Sequence, residues 1–272
     1  MRGSLGDSRR IIRDGEYPVG CKLRWLVVNP RFHFRKWSSY RRATAVDLAD
    51  TNGIAAQSLE GSRRNTRQYT FYVEIRELSI PDAYEITPKQ FGDDRGVFFE
   101  WYRFDRLTEA VGHPLDLRQG NSSVSRRGVV RGIHFADVPR GQAKYVTVAH
   151  GAVLDFAIDI RVGSPTFGQW DSALLDTVDH KAVYLAEGLG HCFVALTDDA
   201  VVSYLVSDVY NPGAEHAINP LDPEVGLVFP PEAGDPVLSP KDTDAPGLAA
   251  AAEAGLLPQW DAMRSYYAEL GR

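Results

Sequence analysis

From Glu74 onward, apolar and polar residues alternate in short runs broken by Gly, Pro and Asp-Asp, the pattern of β-strands with one buried face. Leu154-Asp155-Phe156-Ala157-Ile158-Asp159-Ile160 is the clearest run. Leu154, Phe156, Ile158 and Ile160 share one face, and Asp155, Ala157 and Asp159 the other. Tyr145 to Val148 forms a strand before it, and the intervening Ala149-His150-Gly151 predicts a hairpin. Lys181 to Leu185, Cys192 to Leu196 and Val201 to Val206 add further strands. No helical period interrupts them, so the pattern predicts an all-β jelly roll or related closed sandwich, with a cavity between its sheets. A Pro-rich stretch from Pro220 to Pro240 reads as irregular loop. The tail from Gly247 to Leu270 turns helical: it is Ala-rich, and Trp260, Met263 and Tyr267 recur at i, i+3, i+7.

Residues 1–74 lack either period and are rich in Arg, Ser, Asn and Gly. They hold 14 of the 30 Lys and Arg but only 7 of the 36 Asp and Glu, so the chain's net charge of −6 hides a basic extension on an acidic body. This sets the domain expectation: an extension over 1–74, with Val73 a candidate true start, and a jelly-roll domain over 75–272. A basic arm for RNA or membrane is the competing reading of the extension. An acidic body is not the footprint of a nucleic-acid binder. No apolar run approaches the ~20 residues of a membrane helix. Cys21 and Cys192 are too few for a disulfide framework, so a reducing cytoplasm is the expected location.

Chemistry concentrates in Arg131-Gly132-Ile133-His134-Phe135 and Gln142-Ala143-Lys144-Tyr145, where Arg, His and Lys fall within fourteen positions of a short-stranded domain. On a strand, His134 points opposite to Ile133 and Phe135. A lone strand His is more often structural than catalytic, and Lys144 and Tyr204 taken singly read as a surface lysine and a core tyrosine. No His-x-His pair occurs, which argues against the metal site of many jelly-roll oxygenases. No Gly-x-Gly-x-x-Gly segment follows a strand, so no nicotinamide cofactor is indicated.

Gly128-Val129-Val130-Arg131-Gly132-Ile133-His134-Phe135 resembles the GVLRGLHF signature of dTDP-4-dehydrorhamnose 3,5-epimerases. Further matches follow in that family's order: Asp94 to Glu100, Gln119 to Ser125, Gln142 to Val146, Gly163 to Gly168, Glu187 to Phe193, Tyr204 with Tyr210-Asn211-Pro212, and Leu238 to Asp242. The resemblance spans roughly Glu77 to Leu270. Two departures lie near the sugar pocket: Gly190 and Cys192 flank His191 where the family more often has Ala and Gly, and Ala136 replaces a common Gln.

The resemblance implies a cupin-type jelly roll, a homodimer with exchanged strands, and a dTDP-4-keto-6-deoxyhexose substrate inverted at C5 and often C3. Protons on those carbons flank the C4 ketone, so removing one leaves an enolate. The chemistry needs a base, a proton donor on the opposite face and a stabiliser for the oxygen's charge. By resemblance His134 is the base, Asp242 its hydrogen-bond partner, Lys144 the enolate stabiliser and Tyr204 the donor. No cofactor or metal is implied. Substrate binding is implied for Arg131, Gln119, Asn121 and Lys241, for His191 and Glu215 at the sugar, and for Arg95, Phe98 and Glu100 reaching over from a partner subunit. The alternatives are a single-carbon epimerase of an antibiotic deoxysugar pathway, a catalytically silent nucleotide-sugar-binding cupin, and a metal-dependent cupin oxygenase.

Overall fold

The computed structural model describes residues 73–271, and all but the last two residues of the basic extension lie outside them. Glu74 already opens the first strand. In chain order the elements are β1 Glu74–Glu77, β2 Ala83–Thr87, β3 Gln90–Asp93, β4 Gly96–Phe99, α1 Phe104–Val111, β5 Gln119–Ser125, β6 Val130–Ala136, β7 Lys144–His150 and β8 Ala152–Ile158. There follow β9 Trp170–Asp176, β10 Ala182–Leu185, β11 Gly190–Ala195, β12 Ala200–Val206, β13 Glu215–Ala217, α2 Pro240–Thr243, α3 Leu248–Glu253 and α4 Trp260–Glu269. A six-stranded sheet runs β1-β2-β10-β7-β12-β5 and a five-stranded sheet β13-β6-β11-β8-β9; β3 and β4 pair only with each other. Two antiparallel sheets face to face make the expected jelly roll.

The predicted hairpin is a corner instead. β7 pairs with β10 and β12, while β8 pairs with β11 and β9. Gly151 alone joins them, so the chain crosses from one sheet to the other in one residue. Its φ of 75°, and the clash that any Cβ there would make with Thr197 Oγ1, leave room only for glycine. Alternation shows that two strands each bury a face; it carries no information on whether they bury it in the same sheet.

The period-2 reading of β8 holds, with an inversion of what each face meets. Phe156 and Ile158, with Ile160 beyond the strand, pack with Ile133 and Phe135 under Leu248, Ala251 and Leu257 of the tail. The other face, carrying Asp155 and Ala157, looks toward the six-stranded sheet, where Val153 and Ala157 join Val146 and Val202 in the second core. Asp155 is thereby driven into the interior, 1% exposed.

Two helices have no counterpart in the sequence reading, the single turn α2 and the longer α1. In α1, Leu107 and Val111 stand one turn apart and are buried, and Gly112 ends the helix at φ 92°. Leu107 joins Ile86 and Tyr145 of the six-stranded sheet in one core cluster, with Ile75 packed against it. The tail forms α3 and α4 as expected, with Met263 and Tyr267 buried. Fully buried Arg161 anchors it: the guanidinium pairs with Asp159 at 2.8 Å and Asp82 at 2.7 Å, and lies over the Trp260 ring at 4.6 Å. Ser164 and Thr166 each donate to Asp159 Oδ2 at 2.6 Å, completing that cluster. Among the described residues no helix is long and apolar enough to cross a membrane.

Candidate active site

The site begins with an irregularity in β6. His191 of β11 stands opposite His134 while Phe193, two residues on, stands opposite Arg131, three residues back. Two residues of β6, Gly132 and Ile133, therefore face one of β11, Cys192, which makes a bulge. Regular alternation would send Arg131 and His134 to opposite faces; the bulge brings both to one cavity, while Ile133 and Phe135 stay in the core. Gly132 is at φ 137°, and a Cβ there would lie 2.5 Å from His191 O and 2.6 Å from Cys192 Cα. Only glycine permits so close an approach of the two backbones.

His134 Nε2 hydrogen-bonds Asp242 Oδ1 at 2.7 Å. The 108 residues between them are bridged by the fold. α2 is a single turn begun by Ser239 and Pro240: the Asp242 N–H donates to Ser239 Oγ, and that hydroxyl donates to Asp242 Oδ2 at 2.9 Å. Both carboxylate oxygens are thus held. Burial pushes the Asp242 carboxyl up, but the hydrogen bond and charge of His134 and the Ser239 hydroxyl outweigh it and hold it below the usual range. An ionised partner at Nε2 keeps a proton there and leaves Nδ1 as the basic nitrogen.

Lys144, the first residue of β7, is 8% exposed and donates from Nζ to the His134 carbonyl at 3.5 Å. Burial lowers its ammonium pKa, and Glu215 and Asp155 oppose that through space. Tyr204 of β12 is half-buried across the cavity. Burial raises its phenol, as does the Glu215 carboxylate, while Arg131 and a hydrogen bond from Asn121 pull it down.

A second histidine–carboxylate pair lies behind the cavity: His191 Nε2 meets Asp155 Oδ2 at 2.8 Å, and Asp155 Oδ1 is buried without a hydrogen-bond partner. Asp155 was absent from the candidates drawn from the sequence, since the face it shares with Ala157 and Asp159 reads as the solvent side. Gln142, Ser123, Phe193 and Tyr210 also line the cavity unpredicted.

The cavity, about 220 Å³, is walled by His134, Lys144, Tyr204, His191, Arg131, Asn121, Glu215 and Lys241. Asp242 sits behind His134, and Gln119 behind Asn121, donating to Asn121 Oδ1 at 2.7 Å. Arg95, Phe98 and Glu100 are not brought there within one chain. Arg95 and Phe98 ride on the β3–β4 hairpin, Arg95 paired with Asp93 and Phe98 62% exposed, while Glu100 pairs with Arg103 at 3.1 Å. No three His, Cys, Asp or Glu among the described residues form a metal-holding group.

A jelly roll whose cavity sets an oriented imidazole, a buried ammonium and a phenol around one space is built for acid–base isomerisation of a carbon acid. A family model described as dTDP-4-dehydrorhamnose 3,5-epimerase matches residues 77–250. The chain is 55% identical over 188 residues to a Streptomyces niveus dTDP-4-dehydrorhamnose 3-epimerase, covering 69% of this chain and 90% of that one. It is 53% identical over 197 residues to the Mycolicibacterium smegmatis dTDP-4-dehydrorhamnose 3,5-epimerase, covering 72% and 96%. Among solved structures, the Mycobacterium tuberculosis rmlC epimerase superposes with a TM-score of 0.71 at 47% identity, covering 72% of this chain and 99% of that one. The chain belongs to the dTDP-4-dehydrorhamnose 3,5-epimerase family, and is an isomerase of dTDP-sugars with that family's cupin-like jelly roll.

Proposed function

We propose that the protein inverts C5 and C3 of a dTDP-4-keto-6-deoxyhexose through an enolate, in deoxysugar biosynthesis in the cytoplasm. The observation that carries this reading is the shared cavity of His134, Lys144 and Tyr204, with Asp242 fixing the imidazole. His134 Nδ1 removes the proton beside the ketone. The Lys144 ammonium holds the charge that moves to the C4 oxygen, and Tyr204 returns a proton to the opposite face. Arg131 and Lys241 meet the diphosphate, arginine's planar fork suiting two phosphate oxygens at once. His191, held by Asp155, and Glu215 face the sugar.

The working unit in this reading is a homodimer with exchanged β3–β4 hairpins, so that Arg95, Phe98 and Glu100 complete the partner's site. The hairpin's exposed Phe98 and its separation from both sheets support this. Residues 75–272 form the catalytic domain and residues 1–74 an extension outside it.

The test is incubation with dTDP-4-keto-6-deoxyglucose in deuterated water, counting deuterium at C3 and C5. Two labelled, inverted carbons are expected, and none in His134→Ala. Label at neither carbon with the parent enzyme would sink the proposal for this substrate. The near-equal likeness to a 3-epimerase and a 3,5-epimerase favours a second reading, inversion at one carbon, which the same count distinguishes.

A further inference from the structure

Gln119, Asn121 and Ser123 alternate on the inner face of β5, and Asn121 is the direct cross-strand neighbour of Tyr204 on β12. Their amides are not free to turn. The Tyr210 backbone N–H donates to Gln119 Oε1 at 2.9 Å, which fixes the carbonyl end of that side chain. Its NH2 end then donates to Asn121 Oδ1 at 2.7 Å. With Oδ1 occupied by a donor, Asn121 has only its NH2 to offer to Tyr204, its cross-strand neighbour. A backbone N–H cannot reverse its polarity, so the direction of the whole chain is set at Tyr210.

We infer that Gln119 and Asn121 are positioning residues for epimerisation: the chain from the Tyr210 N–H through both amides turns the Asn121 NH2 onto the Tyr204 oxygen, leaving the phenol hydrogen directed at the sugar. This rests on Tyr204 being the proton donor. His134 Nδ1 takes the proton from C5, and the C–H electron pair becomes the enolate. The Tyr204 O–H bond then breaks, its proton forms the new C5–H bond on the opposite face, and the phenolate left behind accepts from Asn121. Solvent reprotonates Tyr204 and takes the proton from His134, so the cycle closes without an added reactant. The resemblance gives Gln119 and Asn121 to the nucleotide; in this fold the Gln119 carbonyl and amide and the Asn121 carbonyl are already engaged with protein.

The consequence is a partition. An enolate reached by a poor donor on the far face is reprotonated by His134 on the near face, which in deuterated water gives labelled substrate without inversion. Gln119→Glu keeps the acceptor for Tyr210 but places a second acceptor against Asn121 Oδ1, so the Asn121 amide turns over and presents its carbonyl to the phenol. Gln119→Met removes the lock and leaves the amide to choose. The ratio of label without inversion to label with inversion should rise about tenfold in Gln119→Glu, the scale of a modest loss of general-acid efficiency, and less in Gln119→Met. A residue that merely gripped the nucleotide would change dTDP affinity and leave that ratio alone.

A second measurement does not need turnover. With tyrosine labelled at Cζ, the Tyr204 carbon signal, assigned by Tyr204→Phe, should titrate at higher pH in Gln119→Glu and in Asn121→Leu, because the phenolate has lost its donor. The other titratable or charged groups lining the cavity with that phenol are Glu215 on β13, Arg131 and His134 on β6, Lys144 on β7, His191 on β11, Lys241 on α2 and Tyr210 beyond β12; none of these is altered by the variants. Should the parent enzyme take up no deuterium, the proposed activity fails on its own, and this signal decides the relay. An unchanged partition ratio in an active enzyme, or an unmoved Tyr204 titration, overturns the inference.

Discussion

Lys144 shows how function and stability diverge at a single side chain. A buried ammonium is poorly solvated, which weakens it as an ion and strengthens its pull on a developing enolate, since little water competes. Its pKa lies below the ordinary lysine value of 10.5, with burial as the main cause. The folded state therefore binds fewer protons than the unfolded chain between that lowered value and 10.5, and stability rises with pH across this window. Catalysis runs the other way, because the charge that does the work is lost as pH rises through the lowered value. Lys144→Met should cut kcat by about 10²–10³, the usual loss for one oxyanion-stabilising group, and abolish an alkaline limb that in the parent falls below pH 10.5. The same variant should melt above the parent at neutral pH, with the gap narrowing as pH climbs. A pH–rate profile beside thermal melts over the same range checks both signs together. A variant both inactive and less stable would mean that Lys144 is held by contacts worth more than its desolvation penalty.

At the level of elements, the bulge in β6 decides whether a site exists at all. Gly132→Ala would drive a Cβ into His191 O and Cys192 Cα, so β6 and β11 must part where they carry His134 and His191. A loss of at least about 2 kcal/mol is expected from the strained φ and the backbone clash, read from the denaturant midpoint, together with loss of deuterium wash-in. Alternation made the strands legible, because a buried face writes itself into every second residue. The same signal was silent on three features. It could not say that Gly151 turns a corner between sheets, since β7 and β8 each bury a face whichever sheet holds it. It implied that Arg131 and His134 diverge, because a bulge is one residue out of step and looks like noise in so short a run. It passed over α1, whose two buried residues, Leu107 and Val111, are too few to establish a period although Gly112 marks its end. At the site, the motifs around His134, Lys144, Tyr204 and Asp242 were readable only as a set. Asp155 stayed hidden because a polar residue opposite an apolar face is expected in solvent, and here that face is the interior.

For the molecule as a whole, the three candidates missing from the cavity make the sharpest argument. Arg95 and Phe98 sit on a hairpin paired with neither sheet, tied at its base by Gln90 donating to the Val178 carbonyl at 2.7 Å and by Phe99 stacked on His180 at 4.0 Å. A hairpin so held presents outward an arginine paired with Asp93 of its own hairpin and an exposed aromatic ring. If it enters a partner's site, each site in a symmetric dimer draws His134 from one subunit and Arg95 from the other. Co-expressing His134→Ala with Arg95→Ala then has a definite outcome. Each variant alone makes dimers with two defective sites. In a mixed dimer one site collects both defects and the other collects neither, so activity reappears although no chain is intact. Random assembly makes roughly half of the dimers mixed, with one sound site in each, and recovery should approach about a quarter of the parent's kcat per site. Recovery no greater than the sum of the separate variants would place Arg95 in the same subunit's site or outside any site, and the exchanged-hairpin dimer would fall with it.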